Sequence, residues 1–216
     1  MTGWDDLYAD ESWRKWAERP PLPITEHWIS NLRERGARRV FDMGCGLGRH
    51  TVALAKMGFE VVASDISLRA LRTTRDKLAA SGLIAEVIES DMTEIPYPDA
   101  HFDAVLSLGV LEHGTRARIE EALSEVHRTL RPSGQALASF LPRTRWISKD
   151  DPSYDMVEDN TLRSYGPERS VHHMVDDMEL TKLFASFNVL SMELRSERVD
   201  FIDSQEWFVA VEKSAL

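Results

Sequence analysis

Cysteine is almost missing from this chain: its 216 residues include one, Cys45. That excludes an internal disulfide and a cysteine-rich zinc site, and no other residues offer a well-spaced set of metal ligands, so no metal is expected. Long apolar runs are missing too; nothing approaches the roughly 20 residues a membrane-spanning helix needs, and no membrane association is expected. Positive charge is in deficit, with 26 Lys and Arg against 36 Asp and Glu and a net charge of -10. Nucleic-acid binders draw much of their affinity from neutralised phosphates, so no nucleic-acid partner is expected. The short basic cluster Arg33, Arg35, Arg38 and Arg39 reads as solvated surface. There is no internal repeat, no low-complexity segment and no coiled coil, which leaves monomer and homodimer both open. The first residues, with Asp5 and Asp6, are acidic where a secretory signal would be basic and then apolar, so the expected location is cytoplasmic. What survives these exclusions is a small-molecule partner.

The elements that are present alternate. Residues 1–24 are rich in Trp, Asp and Pro and read as an arm or lid, with a short helix near 12–18. Residues 25–35 are helical by the spacing of Trp28, Ile29 and Leu32 and close at Gly36. Short apolar segments at 39–43, 59–64, 85–89, 101–108 and 135–140 read as five strands. Helices fall between them at 48–57, at 67–81 with Ser67 as cap, and at 115–131 with Thr115 as cap. Strands alternating with helices imply a parallel sheet covered on both faces, a doubly wound α/β fold. Residues 141–176 are polar and show little periodicity, so they read as a substrate loop. A helix at 177–186 and two strands at 187–194 and 206–211 complete a single domain over 25–216.

The chemistry concentrates at strand ends. Residues 40–48 run through apolar Val40 and Phe41 to Asp42, then place Gly44, Gly46 and Gly48 at every second position. Glycine accepts positive φ and has no Cβ to hold a ligand off. Ligands of doubly wound sheets sit beyond the carboxyl ends of the strands, and an acid at the tip of the second strand can accept both hydroxyls of a ribose. Asp65 stands at that tip. Asp91, followed by Met92, stands after the third. The plainer readings are a tight packing turn for the glycines and an ordinary strand-end residue for Asp65; the full set in this order argues for a nucleoside cleft. The spacing G-x-G-x-G is one residue short of the dinucleotide pattern G-x-G-x-x-G.

On these residues, together with Phe102-Asp103-Ala104-Val105-Leu106-Ser107, Leu111-Glu112-His113 and Leu130-Arg131-Pro132-Ser133-Gly134, the chain resembles the class I S-adenosylmethionine-dependent methyltransferases. The match covers about residues 25–140, and within the family it is most similar to small-molecule enzymes of the tellurite-resistance and ubiquinone-biosynthesis types. The resemblance implies a Rossmann-like seven-stranded sheet of order 3-2-1-4-5-7-6 with strand 7 antiparallel. It implies S-adenosyl-L-methionine as cofactor, with Gly44, Gly46 and Gly48 at its methionine part, Asp42 and Cys45 also in the binding set, Asp65 at the ribose, and Ile66, Asp91 and Met92 about the adenine. Leu108 would touch it through the backbone. Cys45 itself reads as a bystander, since nothing nearby activates its thiol.

Methyl transfer from a sulfonium is an in-line displacement, and the protein's main task is to align the nucleophile and exclude water. A base is needed only for a protonated nucleophile. The candidates are His113, after strand four, and His172 and His173, at the end of the long polar stretch; each has a plainer reading as a packed or backbone-bonded histidine. Trp4, Tyr8, Trp13 and Trp16 either close over a ligand or pin the arm to the core. Arg143 and Arg145 stand where an anionic substrate group would sit. Three rival readings fit the residues less well. A nicotinamide-dependent oxidoreductase would carry G-x-G-x-x-G or Tyr-x-x-x-Lys, and no tyrosine here has a lysine four positions on. An aminopropyl transferase would want a more acidic loop after strand four. A non-catalytic methyltransferase-like subunit would tend to lose the glycines or the ribose acid.

Overall fold

The computed structural model describes residues 3–11, 15, 19–144, 153–166, 169–199 and 202–215. The helix expected near 12–18, Trp13, Trp16 and Arg145 lie outside these residues.

A short helix α1 (Gly3–Leu7) and the longer α2 (Pro23–Glu34) precede the sheet. Pro23 opens α2, where a missing N–H costs nothing. The sheet region then runs β1 (Arg39–Met43), α3 (Arg49–Lys56), β2 (Glu60–Asp65), α4 (Leu68–Ala80), β3 (Glu86–Glu89), β4 (Phe102–Ser107), α5 (Arg116–Thr129) and β5 (Leu130–Phe140). The expected caps are in place: the Ser67 hydroxyl accepts from Ala70 N at 3.1 Å and the Thr115 hydroxyl from Arg118 N at 3.4 Å. After β5 come β6 (Tyr154–Glu158), β7 (Thr161–Ser164), β8 (Val171–His173), α6 (Asp177–Leu183), β9 (Asn188–Val199) and β10 (Ile202–Glu212).

The main sheet has seven strands in the order β3-β2-β1-β4-β5-β10-β9. β10 is its seventh strand in chain order and runs antiparallel to both β5 and β9, so the order is 3-2-1-4-5-7-6, as the resemblance implies. β4 is buried along its whole length, as a central parallel strand must be. Alternation along β1 sends Phe41 and Met43 to one face and Val40 to the other. The first face packs against Ile119 and Val126 of α5, Leu180 of α6 and Phe184 just after it; the second packs against Ile29 and Leu32 of α2 and Leu54 of α3.

The described part of residues 141–176 is not the unstructured loop that the polar sequence predicts. It holds a second, three-stranded antiparallel sheet, β6-β7-β8. β6 is exposed over nearly its whole length, so no apolar alternation marks it as a strand. The small sheet is tied to the body by backbone bonds: His173 N donates to Glu112 O at 2.8 Å, Val175 N to Leu141 O at 2.9 Å, and Arg143 N to Val175 O at 2.8 Å.

Candidate active site

The parallel order brings four strand ends side by side, and a cavity of about 100 Å³ opens there. Met43 and Gly44 line it from β1, Asp65 and Ile66 from β2, Ser90, Asp91 and Met92 from β3, and Gly109 and Val110 from β4. Arg118 of α5, His113 and the α1-side aromatics Trp4 and Tyr8 close it.

The glycine corner is shaped by the protein's own packing. Gly44, Gly46 and Gly48 all have positive φ, at 67°, 53° and 80°. A Cβ on Gly44 would stand 2.3 Å from Val110 Cγ2, one on Gly48 2.7 Å from Thr74 Oγ1, and one on Gly46 2.9 Å from the Tyr8 hydroxyl. Side chains thus come close at all three positions, and only the Gly46 neighbour belongs to the arm.

Asp65 is buried and organised. Its Oδ2 accepts from Gly46 N and its Oδ1 from Ser67 N, both at 2.9 Å. Burial raises its carboxyl above the usual range, opposed by these backbone bonds. A carboxylate has about four lone-pair positions, so acceptor capacity remains for ligand hydroxyls. Asp91 is spent differently: Oδ1 accepts from the Thr93 amide at 2.9 Å and hydroxyl at 2.8 Å, and Oδ2 pairs with Arg118. Burial pushes its carboxyl up, but these partners outweigh it and hold it below the usual range. Asp42 lies deeper, accepting from the Thr51 hydroxyl at 2.6 Å, and burial lifts it to about 6. Of the ten residues that the sequence assigns to the cofactor, Gly44, Asp65, Ile66, Asp91 and Met92 line the cavity. Asp42, Cys45, Gly46 and Gly48 stand behind it. Leu108 packs toward the Trp28–Leu32 cluster, and Gly109 and Val110 take the wall position expected of it. The Cys45 thiol, buried and raised well above its usual value by that burial, faces Gly46 O and Thr74.

The three histidines separate. His113 lines the cavity, with ring centroids 4.7 Å from Trp4 and 4.6 Å from His172, both edge-on. Burial, with His172 beside it, lowers His113 to about 3, and its Nδ1 has no partner among the described residues. His172 stands 2.5 Å from the Ser170 hydroxyl. His173, one residue on along β8, points to the opposite side, as strand alternation requires. Its Nδ1 is 2.6 Å from Thr161 Oγ1 and its Nε2 2.9 Å from Glu179 Oε1. Arg143 pairs with that same Glu179 and with Asp176. His173 and Arg143 therefore belong to a polar network under the small sheet and do not line this cavity; with Arg116, Asp176 and Glu179 they line a separate one of about 500 Å³.

Sequence reasoning missed Arg118, Ser90, Met43 and Val110. Arg118 carried one signal, its place in the first turn of the helix after strand four. In the arm, Leu7 is buried and Asp5 is held by Ser67 and Arg69, while Trp4 and Tyr8 form cavity wall.

Comparison with known proteins meets this geometry. Residues 40–134 match a family described as a methyltransferase domain. The ubiquinone/menaquinone biosynthesis C-methyltransferase UbiE of Cupriavidus necator is 34% identical over 191 residues, covering 85% of this chain and 77% of that protein. The chain spans about half the length of several other curated relatives it matches. Among solved structures, an S-adenosylmethionine-dependent methyltransferase of Methanosarcina mazei superposes with a TM-score of 0.76 at 18% identity, covering 92% of this chain and all of that one. Magnesium protoporphyrin IX methyltransferase of Synechocystis with bound cofactor gives 0.66 at 18%, covering 99% and 98%. At these identities the two structures speak to the fold alone.

Proposed function

The chain belongs to the class I S-adenosylmethionine-dependent methyltransferases, and from that premise we propose that it moves the donor's methyl group to a small-molecule acceptor by in-line displacement. The observation that carries the reading is the convergence of Gly44, Asp65 and Asp91–Met92 from three successive strand ends on one cavity whose far wall is His113. When bound, S-adenosylmethionine supplies an electrophilic methyl on a sulfonium. The residues fit such a group: a buried carboxylate with spare acceptor positions at the β2 tip, apolar Ile66 and Met92 beside it, and a corner where no Cβ intrudes.

The chain's own work is alignment and proton handling. Asp65, fixed by two backbone amides, accepts the ribose hydroxyls. Ile66 and Met92 face the adenine, with the Asp91–Arg118 pair at its edge. Asp42 holds the turn through Thr51 rather than touching the donor. Trp4, Val110 and His113 exclude water from the acceptor side, which preserves the gain of about 7–11 kcal/mol available from orientation. His113 accepts the hydrogen bond of a protonated nucleophile. A hydroxyl becomes strongly acidic as its oxygen is alkylated, so an imidazole held neutral by burial is basic enough to take the proton late. His172 orients the His113 ring edge-on.

A coupled assay for S-adenosylhomocysteine release, run over hydroxyquinones, phenols, amines and thiols, tests the reading. Turnover with at least one acceptor class is expected. Donor binding with no turnover on any class favours the non-catalytic subunit instead.

A further inference from the structure

Helix α1 is clasped to the start of α4 by one carboxylate. Asp5, buried, accepts through Oδ1 from the Ser67 hydroxyl at 2.6 Å and from Arg69 N at 3.0 Å, while its backbone oxygen accepts from Arg69 Nε at 3.1 Å. This places an acid on the first turn of α4, where the helix dipole favours it. Burial pushes the Asp5 carboxyl up, and the Ser67 and Arg69 bonds more than offset that and hold it below the usual range. The clasp delivers Tyr8 to the glycine corner, its hydroxyl against Gly46. No hydrogen bond from the described residues reaches that hydroxyl. Burial, with Asp65 nearby, keeps the phenol protonated.

The corner has few donors of its own to offer. Cys45 N is spent on Ser64 O at 2.7 Å, Gly46 N on Asp65, and Gly48 N on Cys45 O at 3.0 Å. Arg49, the first residue of α3, is already engaged within the protein. The neighbouring side chains Asp42 and Asp65 are acids. A nucleoside whose ribose sits on Asp65 at the β2 tip and whose base lies toward β3 puts its 5′ substituent over β1 and β4, at this corner. An anionic group there meets two carboxylates and one hydroxyl with a proton to give.

Resting on the methyltransferase reading, we propose that Tyr8 is a donor-positioning residue: its hydroxyl donates to the carboxylate of the donor's amino-acid end, and the Asp5 clasp on α4 holds it there. The cavity of about 100 Å³ is below the roughly 300–1,000 Å³ of ligand pockets, so a bound donor brings its amino-acid end close against the Tyr8 wall.

Calorimetric titration with S-adenosylhomocysteine and with 5′-methylthioadenosine, which lacks the amino-acid end, tests this on wild type, Tyr8→Phe and Asp5→Asn, each checked for folding by circular dichroism. Tyr8→Phe is expected to weaken S-adenosylhomocysteine about tenfold, the scale of a hydrogen bond to a charged group, and methylthioadenosine less than twofold. Asp5→Asn should show the same selectivity with a smaller loss. Equal losses for both ligands, or none for either, overturn the assignment while leaving the donor site standing. A wild type that binds neither ligand removes the donor reading and the proposal together.

Discussion

The two sides of the cavity are built on different terms. The donor side is a row of backbone corners at β1, β2, β3 and β4, each placed by parallel pairing to its neighbour. The opposite side is made of side chains: Trp4 and Tyr8, carried by an arm that Asp5 fastens to Ser67 and Arg69, and His113, whose ring lies edge-on to His172 of the small sheet. Where position follows from sheet register, a residue's place in the strand determines what it can touch. Where it follows from isolated contacts, each placement is separate, and acceptor choice can change without disturbing the donor cleft.

Gly46→Arg tests the donor side most severely. Its Cβ would fall 2.9 Å from the Tyr8 hydroxyl at a φ of 53°, and the guanidinium would fill the corner. Affinity for S-adenosylhomocysteine by calorimetry should fall by roughly a hundredfold or more; a folded variant with unchanged affinity would separate the corner from the donor.

The pH dependence of stability sharpens the contrast. Burial lifts Asp42 to about 6 against an ordinary value of 3.8. A carboxyl raised on folding binds its proton more tightly in the native state, so stability falls as pH rises between those values and the cost is fully present above the folded one. The difference in unfolding free energy between wild type and Asp42→Asn should therefore shift by about 2 kcal/mol from pH 4 to pH 6, against the wild type. A difference that stays flat would mean Asp42 is not held in this way. Asp65 acts in the same direction, whereas burial lowers His113 and His50 to about 3 each and costs stability as pH falls below 6.5, which is why the measurement is a difference.

The neighbours His113 and His173 divide the two roles. His113→Gln should lower turnover of a hydroxyl acceptor about a hundredfold while leaving affinity for S-adenosylhomocysteine unchanged; full turnover would remove it as the base. His173→Ala, which takes one buried partner each from Glu179 and Thr161, should cost about 1–3 kcal/mol in chemical denaturation with donor affinity within twofold. Lost affinity at unchanged stability would place His173 in the cavity instead.

The same division explains what could be read in advance. The strands of β1 to β5, the caps Ser67 and Thr115 and the tip acids Asp42, Asp65 and Asp91 follow from local rules of periodicity, capping and strand-end placement, and they stand where those rules put them. That Asp91 would spend itself on Arg118 and Thr93 did not follow, because the pairing spans 27 positions between β3 and α5. β6 escaped because an exposed strand carries no apolar alternation. His172 and His173 could not be told apart until β8 supplied the alternation that turns one toward His113 and the other toward Glu179. For Tyr8 and Trp4, nothing before the fold indicated that Asp5 would anchor their helix 62 positions away at Ser67.

A crystal structure of the chain with S-adenosylhomocysteine addresses the central claim most directly. Electron density for the nucleoside across the β3 and β2 tips, with its ribose hydroxyls on Asp65 and its base between Ile66 and Met92, is the predicted result. A ligand bound elsewhere, or a cavity with no density for the ligand at saturating concentration, would contradict it.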